Sequence, residues 1–282
     1  MDTKFEGRFL AGIDCGSAFC KGALLLNGNI LALASRPTGW NVAETGRRIL
    51  EELAAKGCGG TFNGETPAGL RLAATGYGRE RIPGADLTLT EISAHARGAE
   101  FLCPGVRTVI DIGGQDGKVI AVEDGRARDF QMNDKCAAGS GRFLEMVVRR
   151  LELDSAMMEE LLALGKEAPL NSVCAVFAES EIIGLLAAGV SREEIIGGAV
   201  VSLSRRIAAL AGRMGVFPPA AMTGGLSGSA GIRAVLSRVL GVELRPVPHG
   251  VYAGAIGAAL AGEEHFLKPG AAVSRTAIPN SK

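Results

Sequence analysis

The sequence of 282 residues has no excess of charge of either sign, since Lys and Arg together number 30 and Asp and Glu also number 30. A chain without net charge offers no general attraction for nucleic acid or for an anionic membrane surface. We therefore expect neither nucleic acid nor a membrane among its partners.

Long hydrophobic runs are also missing. The first eight residues include four charged ones, and the longest apolar-rich stretch, Val251 to Leu260, is far too short to span a bilayer. No segment has the pattern of a signal peptide. These absences predict a cytoplasmic protein, in which the six cysteines are expected to be free thiols or metal ligands rather than structural disulfides.

Two widespread nucleotide-binding patterns are absent as well. The sequence contains neither Gly-x-x-x-x-Gly-Lys-Ser/Thr nor a strand-linked Gly-x-Gly-x-x-Gly, which excludes the P-loop and the usual dinucleotide fingerprint. What the chain does have is 47% hydrophobic residues, enough for a sizeable core, and 40 glycines, which indicate many tight turns.

A short pattern occurs twice in the sequence. Each copy has an apolar strand, an Asp and a Gly, then a Lys at the same offset, an apolar run and a hairpin dipeptide. The copies are Ile13–Ser17 with Lys21 and Asn27-Gly28, and Ile110–Gly114 with Lys118 and Asp124-Gly125. Chance similarity of two glycine-rich strands does not explain so many shared positions, so we infer a duplicated β-hairpin.

Strands alternate with helices in the rest of the chain, which is typical of an α/β fold of two lobes. We predict lobe I at residues 1–106, with a C-terminal helix at 251–265 packing back on it, lobe II at 107–250 and a flexible tail at 266–282. Clefts between lobes are preferred ligand sites. The predicted helices are Val42–Ala55, Glu91–Phe101, Arg142–Leu151, Val176–Ala187, Ile195–Leu210 and Val251–Leu260.

The first hairpin tip is a candidate phosphate loop. Glycine lets consecutive N–H groups point outward, and such a concavity binds phosphate. Ser17 adds a hydroxyl and Lys21 a positive charge, while Asp14 is suited to hold Mg²⁺ through water. The predicted nucleotide contacts in this loop are Gly16, Ser17, Ala18, Phe19, Cys20 and Lys21, with Cys20 contributing its backbone only.

The second tip, Asp111–Asp116, is expected to face the first across the cleft, with contacts from Gly113 and Gly114. Gln115 is the candidate for orienting the attacking water, so we predict Gln115, Asp14 and Asp111 as the catalytic residues. Thr223-Gly224-Gly225 would let the nucleotide lie against bare backbone. In this order the three segments resemble the phosphate-1, phosphate-2 and adenosine motifs of the acetate kinase, sugar kinase, Hsp70 and actin superfamily.

Cys136 and Cys174 each lie just before a predicted helix, whose N-terminal N–H groups stabilise a thiolate or an anionic cluster. Two thiolates do not complete a four-cysteine cluster, but a two-fold dimer would supply four. Cysteine is also a common small core residue, so the positions of Cys136 and Cys174 alone do not decide between a cluster ligand and a core residue. For three other cysteines we favour the core reading, namely Cys15, Cys58 and Cys103.

Several longer strings are similar to the activator (component A) family of 2-hydroxyacyl-CoA dehydratases, which includes the ATPase subunits of benzoyl-CoA reductase. The resemblance extends from about Leu10 to Gly262, and its most specific part is Asn133–Gly141. The other matching strings are Thr75–Arg79, Asp111–Asp116, Phe177–Glu181 and Met222–Gly225.

This resemblance implies two duplicated ribonuclease-H-like lobes of the actin, Hsp70 and sugar kinase type that bind ATP or ADP with Mg²⁺. It implies a homodimer with one [4Fe–4S] cluster held by Cys136 and Cys174 of each chain. It further implies ATP-dependent transfer of single electrons to an iron–sulfur acyl-CoA dehydratase or reductase, where a thioester becomes a ketyl radical. Reduced ferredoxin or flavodoxin would be the donor.

The first loop departs from the family pattern Gly-Ser-Thr-x-Ser-Lys, since Ala18 and Cys20 replace two hydroxyl residues. Val251 also stands where a polar residue is usual, which removes one expected ribose contact. A small-molecule kinase of the same superfamily is the alternative function, with Asp116 or Asp134 as its base. A polymerising or chaperone-like ATPase is a third.

Overall fold

The computed structural model describes residues 9–57, 70–133, 137–171 and 174–267. Within these ranges the chain divides into two compact units. One unit holds the described residues up to Arg97 and those from Gly254 onward, and the other is Gly98–Ala253. The sequence-based lobe limit after residue 106 falls slightly later in the chain and stays a prediction.

The first unit is built on one five-stranded sheet with the strand order β3-β2-β1-β4-β5. Strand β1 is buried along its whole length, as expected for a central strand of a sheet covered on both faces. The elements are β1 (Phe9–Cys15), β2 (Phe19–Leu26), β3 (Asn29–Pro37), α1 (Val42–Gly57), β4 (Leu70–Thr75), β5 (Leu87–Thr88) and α2 (Glu91–Leu102).

The second unit has its own five-stranded sheet, in the order β10-β9-β6-β7-β8. Its strands are β6 (Thr108–Ile112), β7 (Gly117–Glu123), β8 (Arg126–Asn133), β9 (Ala220–Gly224) and β10 (Leu244–Arg245). Its helices are α3 (Gly141–Arg150), α4 (Ser155–Ala163), α5 (Ala175–Ala187), α6 (Arg192–Ala211) and α7 (Ala230–Leu240). The last helix of the chain, α8 (Ala253–Leu267), begins at the limit between the units.

The two sheets have the same topology. In each, three consecutive strands pair antiparallel and the first of them pairs in parallel with a fourth strand. Both also carry a register shift at the equivalent place, between Leu24 and Leu25 in β2 and between Ala121 and Val122 in β7. β-bulges are conserved within protein families. The register shift that both sheets share therefore supports the duplication inferred from the sequence.

The Asn-Gly and Asp-Gly dipeptides form turns between antiparallel strands, as the sequence predicted. Asn27 and Gly28 join β2 to β3 with φ angles of 52° and 76°, and Asp124 and Gly125 join β7 to β8 with φ angles of 50° and 70°. Positive φ at both central residues is the type I′ turn, whose twist matches that of the flanking strands. These turns therefore set the register of β3 against β2 and of β8 against β7.

Each unit has its own hydrophobic core. In the first, Ile49 and Leu53 of α1 are buried against the sheet, and Gly22 of β2 leaves them space. In the second, the long helix α6 supplies the buried side chains of Ile196, Leu203 and Ile207. These cores hold the hairpins from behind, so the tips are carried on rigid strands.

Helix α8 packs on β1 through Gly12. A β-carbon at Gly12 would lie 1.9 Å from the carbonyl oxygen of Ala255 and 2.6 Å from the backbone nitrogen of Ala259. Backbone therefore touches backbone at this point, and only glycine fits. The helix begins at Ala253 rather than at the predicted Val251, because Gly250–Tyr252 forms a 3₁₀ turn, and it extends to Leu267. The rest of the predicted tail, beyond residue 267, lies outside the described residues.

The other predicted helices are confirmed, with their limits shifted by a few residues. Helix α6 starts earlier than the apolar spacing indicated, because Ser191 and Glu194 form a capping box that extends its first turn. Helices α4 and α7 were not predicted, although Asp154 and Ser229 cap them in the usual way. No helix in the described part of the chain is long and apolar enough to cross a membrane.

Candidate functional site

In the first hairpin tip, three backbone carbonyl oxygens accept hydrogen bonds from other groups of the protein. The N–H of Gly16 donates to the carbonyl oxygen of Phe19 at 3.1 Å and closes the loop. Thr38 then donates twice, from its hydroxyl to the oxygen of Gly16 at 2.7 Å and from its N–H to the oxygen of Ala18 at 2.9 Å. A loop whose carbonyl oxygens are bound from behind suits phosphate, because oxygens facing an anion would repel it.

Asp14 lies behind this tip, at the end of β1, with its carboxylate buried. It stands opposite Lys21 in the strand register, and the lysine Nζ is 3.9 Å from the Asp14 Oδ2 atom. His95 of α2 is also buried, with its Nε2 atom 3.9 Å from the same oxygen. Gly254 makes the room for this contact, since a β-carbon there would lie 2.6 Å from Asp14 Oδ2.

The end of β4 forms the neighbouring wall of this carboxylate. Thr75 pairs with Asp14 in the sheet, and Gly76 follows with a φ of 91°. A β-carbon at Gly76 would lie 2.5 Å from the carbonyl oxygen of Cys15 and 2.8 Å from Asp14 Oδ1. The sequence predicted no role in the site for Thr75–Arg79. In the structure, Thr75 is the strand partner of Asp14, and Gly76 lies against the Asp14 carboxylate, the candidate Mg²⁺ ligand.

The second tip closes in the same way as the first. The N–H of Gly113 donates to the carbonyl oxygen of Asp116 at 2.9 Å. Its carbonyls, however, are bound by the start of α3: the N–H of Gly141 donates to the Gly113 oxygen at 2.8 Å, and that of Arg142 to the Gly114 oxygen at 3.0 Å. Gln115 is exposed at the tip, where a residue that orients water has to be.

Three charged side chains are buried together below this second tip. Lys118 Nζ lies 3.2 Å from Asp111 Oδ2 and 2.5 Å from Asp116 Oδ1. Such close contacts satisfy a lysine that is removed from water. Asp116 is 2% exposed. A carboxylate held in this ion pair is poorly placed to accept a proton from a substrate hydroxyl, which counts against Asp116 as a kinase base. Asp134, the other candidate base, lies outside the described residues.

The predicted adenosine segment lies beside this group. Thr223 ends β9 next to Asp111, and its hydroxyl donates to Asp111 Oδ1 at 3.2 Å. Gly224 has a φ of 86°, and a β-carbon there would lie 2.5 Å from the same carboxylate oxygen. Gly225 has open space beside it. Thr223-Gly224 in this unit thus corresponds to Thr75-Gly76 in the other.

Of the two candidate cluster cysteines, Cys174 is described and Cys136 lies outside the described residues. Cys174 is exposed and is the N-cap residue of α5, so its sulfur lies at a helix N-terminus. Two large apolar side chains of the first turn are also exposed, with Val176 at 71% and Phe177 at 70%. The environment fits a thiolate ligand better than a buried core cysteine.

The remaining described cysteines are buried, as expected for core residues. Cys15 and Cys20 face each other across the first hairpin, so Cys20 is a strand residue rather than part of the loop. A hydrogen bond with Cys20 is the main cause that lowers the pKa of the Cys15 thiol, and the same contact, together with burial, raises the pKa of Cys20. Cys58 lies outside the described residues.

The segment that follows Cys136 in the chain packs directly on the second tip. Ala137–Gly139 is a 3₁₀ turn that leads into α3. A β-carbon at Gly117 would lie 2.8 Å from the carbonyl oxygen of Gly139, and one at Gly141 would lie 3.0 Å from that of Gly113. Backbone contacts of this kind leave little freedom, so a shift of the tip has to move residues 137–142 with it.

Comparison with known proteins shows which family the chain belongs to. Residues 11–262 match the model of the BadF/BadG/BcrA/BcrD ATPase family. The chain belongs to this ATPase family. The family membership confirms the resemblance noted in the sequence.

One relative is the (R)-2-hydroxyglutaryl-CoA dehydratase activating ATPase of Acidaminococcus fermentans, 43% identical over 89% of this chain and 96% of its own. The solved activator of the 2-hydroxyisocaproyl-CoA dehydratase from Clostridium difficile, with bound ADPNP, has a TM-score of 0.82 and 37% identity over 91% of this chain and 94% of its own.

The fold class predicted from the sequence is also confirmed. A ROK family glucokinase from Streptomyces griseus aligns with a TM-score of 0.52 at 16% identity, over 91% of this chain and 99% of its own. At that identity the likeness concerns the fold alone. Together with the duplicated sheets, it establishes the actin, Hsp70 and sugar kinase type of architecture.

Proposed function

We propose that this ATPase is an activator that passes single low-potential electrons to an iron–sulfur acyl-CoA dehydratase or a related reductase. The donor group would be a [4Fe–4S] cluster shared by two copies of the chain, and ATP hydrolysis would drive the transfer. The names of relatives that match this chain over most of its length support the dehydratase as partner. Reduced ferredoxin or flavodoxin would recharge the activator.

One structural observation carries this proposal. The carbonyl groups of the second tip are bound by the first amides of α3, and α3 follows directly on the segment that contains Cys136. A displacement of Gly113 or Gly114 on ATP hydrolysis would therefore reach residues 137–142 through two hydrogen bonds. This link between the second tip and the residues that follow Cys136 is what supports a redox role for ATP hydrolysis.

The cysteines would hold the cluster in pairs, Cys136 and Cys174 from each chain. Cys174 fits this role because its sulfur is exposed at a helix N-terminus, whose partial positive charge favours thiolate. The exposed Val176 and Phe177 beside it suit the apolar surroundings of a homodimer contact. When bound, the cluster supplies a group that accepts and releases one electron at low potential.

The proposed nucleotide contacts follow the sequence prediction tip by tip, except that Phe19 and Cys20 belong to β2 and are left out. In the first tip, Ser17 and Ala18 would offer amides to phosphate, and Gly16, whose own N–H closes the loop, would line the concavity. Lys21 would add its charge and Asp14 a water-mediated hold on Mg²⁺. In the second, Gln115 would orient the attacking water with Asp111 as a further catalytic residue. Gly114 would offer its backbone amide, and Gly113, whose N–H closes the loop, would line the site. Thr223, Gly224 and Gly225 would line the adenosine.

The test is the iron and acid-labile sulfide content of protein purified without oxygen, with its visible spectrum. We expect one [4Fe–4S] cluster per dimer, and its loss in both Cys136→Ala and Cys174→Ala. Cys103→Ala is the matched control, because Cys103 is a buried thiol in another part of the same unit, and it should keep the cluster. The dimer itself is measured by light scattering on the same samples.

A colourless wild-type protein after anaerobic reconstitution would refute the electron-transfer proposal and make a small-molecule kinase the working hypothesis. The cluster variants separate the two activities further. We expect Cys174→Ala to keep ATP binding while it loses electron transfer to a dehydratase, since Cys174 does not belong to either tip. Loss of ATP binding in that variant would contradict the separation.

A further inference from the structure

Cys15 and Cys20 form a cross-strand pair at the base of the first tip. Cys15 is the last residue of β1 and Cys20 the second residue of β2, and the two are direct partners in the antiparallel register. Both are 0% exposed, and only Gly16–Phe19 separate them in the chain. The second hairpin has Ile112 opposite Gly117 at this place, so the pair distinguishes the first tip from its copy.

The hydrogen bonding of the loop tells which kind of strand pair this is. The next pair along, Gly16 and Phe19, is bonded by the Gly16 N–H and the Phe19 carbonyl. Bonded and non-bonded pairs alternate in antiparallel strands, so Cys15 and Cys20 are a non-bonded pair, with Cα atoms about 4.5 Å apart and side chains close. Disulfides need Cα atoms about 4.4–6.8 Å apart.

Directly opposite residues of antiparallel strands point to the same face of the sheet, so the two thiols lie on one side of the hairpin as neighbours. No change of register is therefore required to join them. Access comes from the tip above, where Gly16, Ser17 and Ala18 are partly exposed and Phe19 is 49% exposed. A small oxidant would need only a local opening at Gly16–Ala18, the residues that connect β1 to β2.

We propose that Cys15 and Cys20 form a reversible disulfide that closes a ring around the first phosphate loop. With a small-molecule disulfide as oxidant, one thiolate of the pair attacks a sulfur of the oxidant and releases one molecule of its thiol. The second cysteine loses its proton, attacks the resulting mixed disulfide and releases the other thiol. Two protein thiols and one disulfide thus become one protein disulfide and two small thiols.

The sequence makes the product easy to detect. Trypsin cuts after Arg8 and Lys21, so Phe9–Lys21 is one peptide that contains both cysteines and none of the other four. The full chain, purified reduced and without oxygen, is treated in its folded state with oxidised glutathione, alkylated and digested without reductant. We expect this peptide to carry no alkyl group and to be two hydrogen atoms lighter than the dithiol form.

Dithiothreitol added before alkylation should restore two alkyl groups on the peptide. Cys15→Ser and Cys20→Ser should each abolish the closed form, and both also show whether the remaining thiol can be oxidised alone. Cys103→Ser should leave it unchanged. Since the readout is the mass of one peptide, it does not depend on whether the chain binds a cluster or ATP, so its failure is distinct from failure of the proposed function.

Two results would overturn the inference. One is a Phe9–Lys21 peptide that stays fully alkylated after oxidation, while a denatured sample under the same treatment closes. The other is a stable glutathione adduct on Cys15 or Cys20 with no closed form, which would mean that the folded strands hold the two sulfurs apart.

Discussion

The two hairpins share their strand register and their closing hydrogen bond, yet their charges are arranged differently. In the second, Lys118 is buried between Asp111 and Asp116. In the first, Lys21 lies 3.9 Å from Asp14, and Phe19 occupies the place that corresponds to Asp116. The residue at this one position thus accounts for the difference, because Asp116 gives Lys118 a second carboxylate and Phe19 gives Lys21 none.

This difference assigns different tasks to two equivalent lysines. A lysine held by two carboxylates has little charge left to offer a ligand, so Lys118 acts as structural support for Asp111. Lys21 has the longer contact and a side chain that is 15% exposed, which suits a cation that meets phosphate. A duplicated backbone has therefore kept its geometry while its copies have diverged in electrostatics.

The carbonyl groups of the two tips are also held by different means. A single residue, Thr38, binds those of the first tip from the β3–α1 connection. Backbone amides at the start of α3 bind those of the second. The first tip is thus hydrogen-bonded to the loop between β3 and α1. The second is hydrogen-bonded to α3, the helix that follows Cys136 in the chain.

The largest expected effect is on stability and comes from removing each lysine. Lys118→Met leaves two buried carboxylates without their cation and should lower the free energy of unfolding by about 3–5 kcal/mol. Lys21→Met should cost about 1 kcal/mol, because its contact with Asp14 is longer and more exposed. Urea unfolding of both variants measures the difference. Equal losses would show that the two hairpins are electrostatically alike.

The next effect concerns the glycines that end β4 and β9. Gly76→Ala and Gly224→Ala should each lower stability by about 1–3 kcal/mol, since both have positive φ and both would press a β-carbon on an Asp carboxylate. Thermal unfolding checks this. Gly225→Ala is the matched control, because its neighbourhood is open, and it should affect ADP affinity far more than stability.

A clearly different loss of stability in Gly76→Ala and Gly224→Ala would show that the two carboxylates are not in equivalent surroundings. It would mean that one carboxylate can move aside and that the other cannot.

The smallest effect comes from the cap of the first tip. Thr38→Val removes the hydroxyl that binds the Gly16 carbonyl and should cost about 1 kcal/mol, seen as about fivefold weaker ADP binding. Thr45→Val is the control, since its hydroxyl bonds the Thr38 carbonyl at 2.9 Å and touches neither Gly16 nor Ala18. Isothermal titration calorimetry measures both.

An unchanged ADP affinity in Thr38→Val would show that the backbone of the first tip keeps its shape without the cap. The second tip offers no equivalent side-chain change, because the amides of Gly141 and Arg142 bind its carbonyl groups there.

Much of the fold was predictable, because its signals are local. The Asp-x-Gly tips, the lysines at equal offset and the Asn-Gly and Asp-Gly turns together predicted both hairpins. Helix α7 was missed although it has a serine cap and ends in Gly241 with positive φ, and β5 and β10 are too short to show a periodic pattern. The resemblance of Asn133–Gly141 to a specific family motif was enough to indicate the ATPase family from the amino-acid sequence.

The sequence by itself determined the repeat, the turns and the residue types at each tip, since these depend on neighbours along the chain. Only the tertiary structure brought Thr75-Gly76 against Asp14, buried Asp116 beside Lys118, and tied the second tip to α3. It also paired the thiols of Cys15 and Cys20 across the strands. Each of these contacts joins groups that sequence order leaves unrelated, and strand register and helix packing alone decide which of them meet.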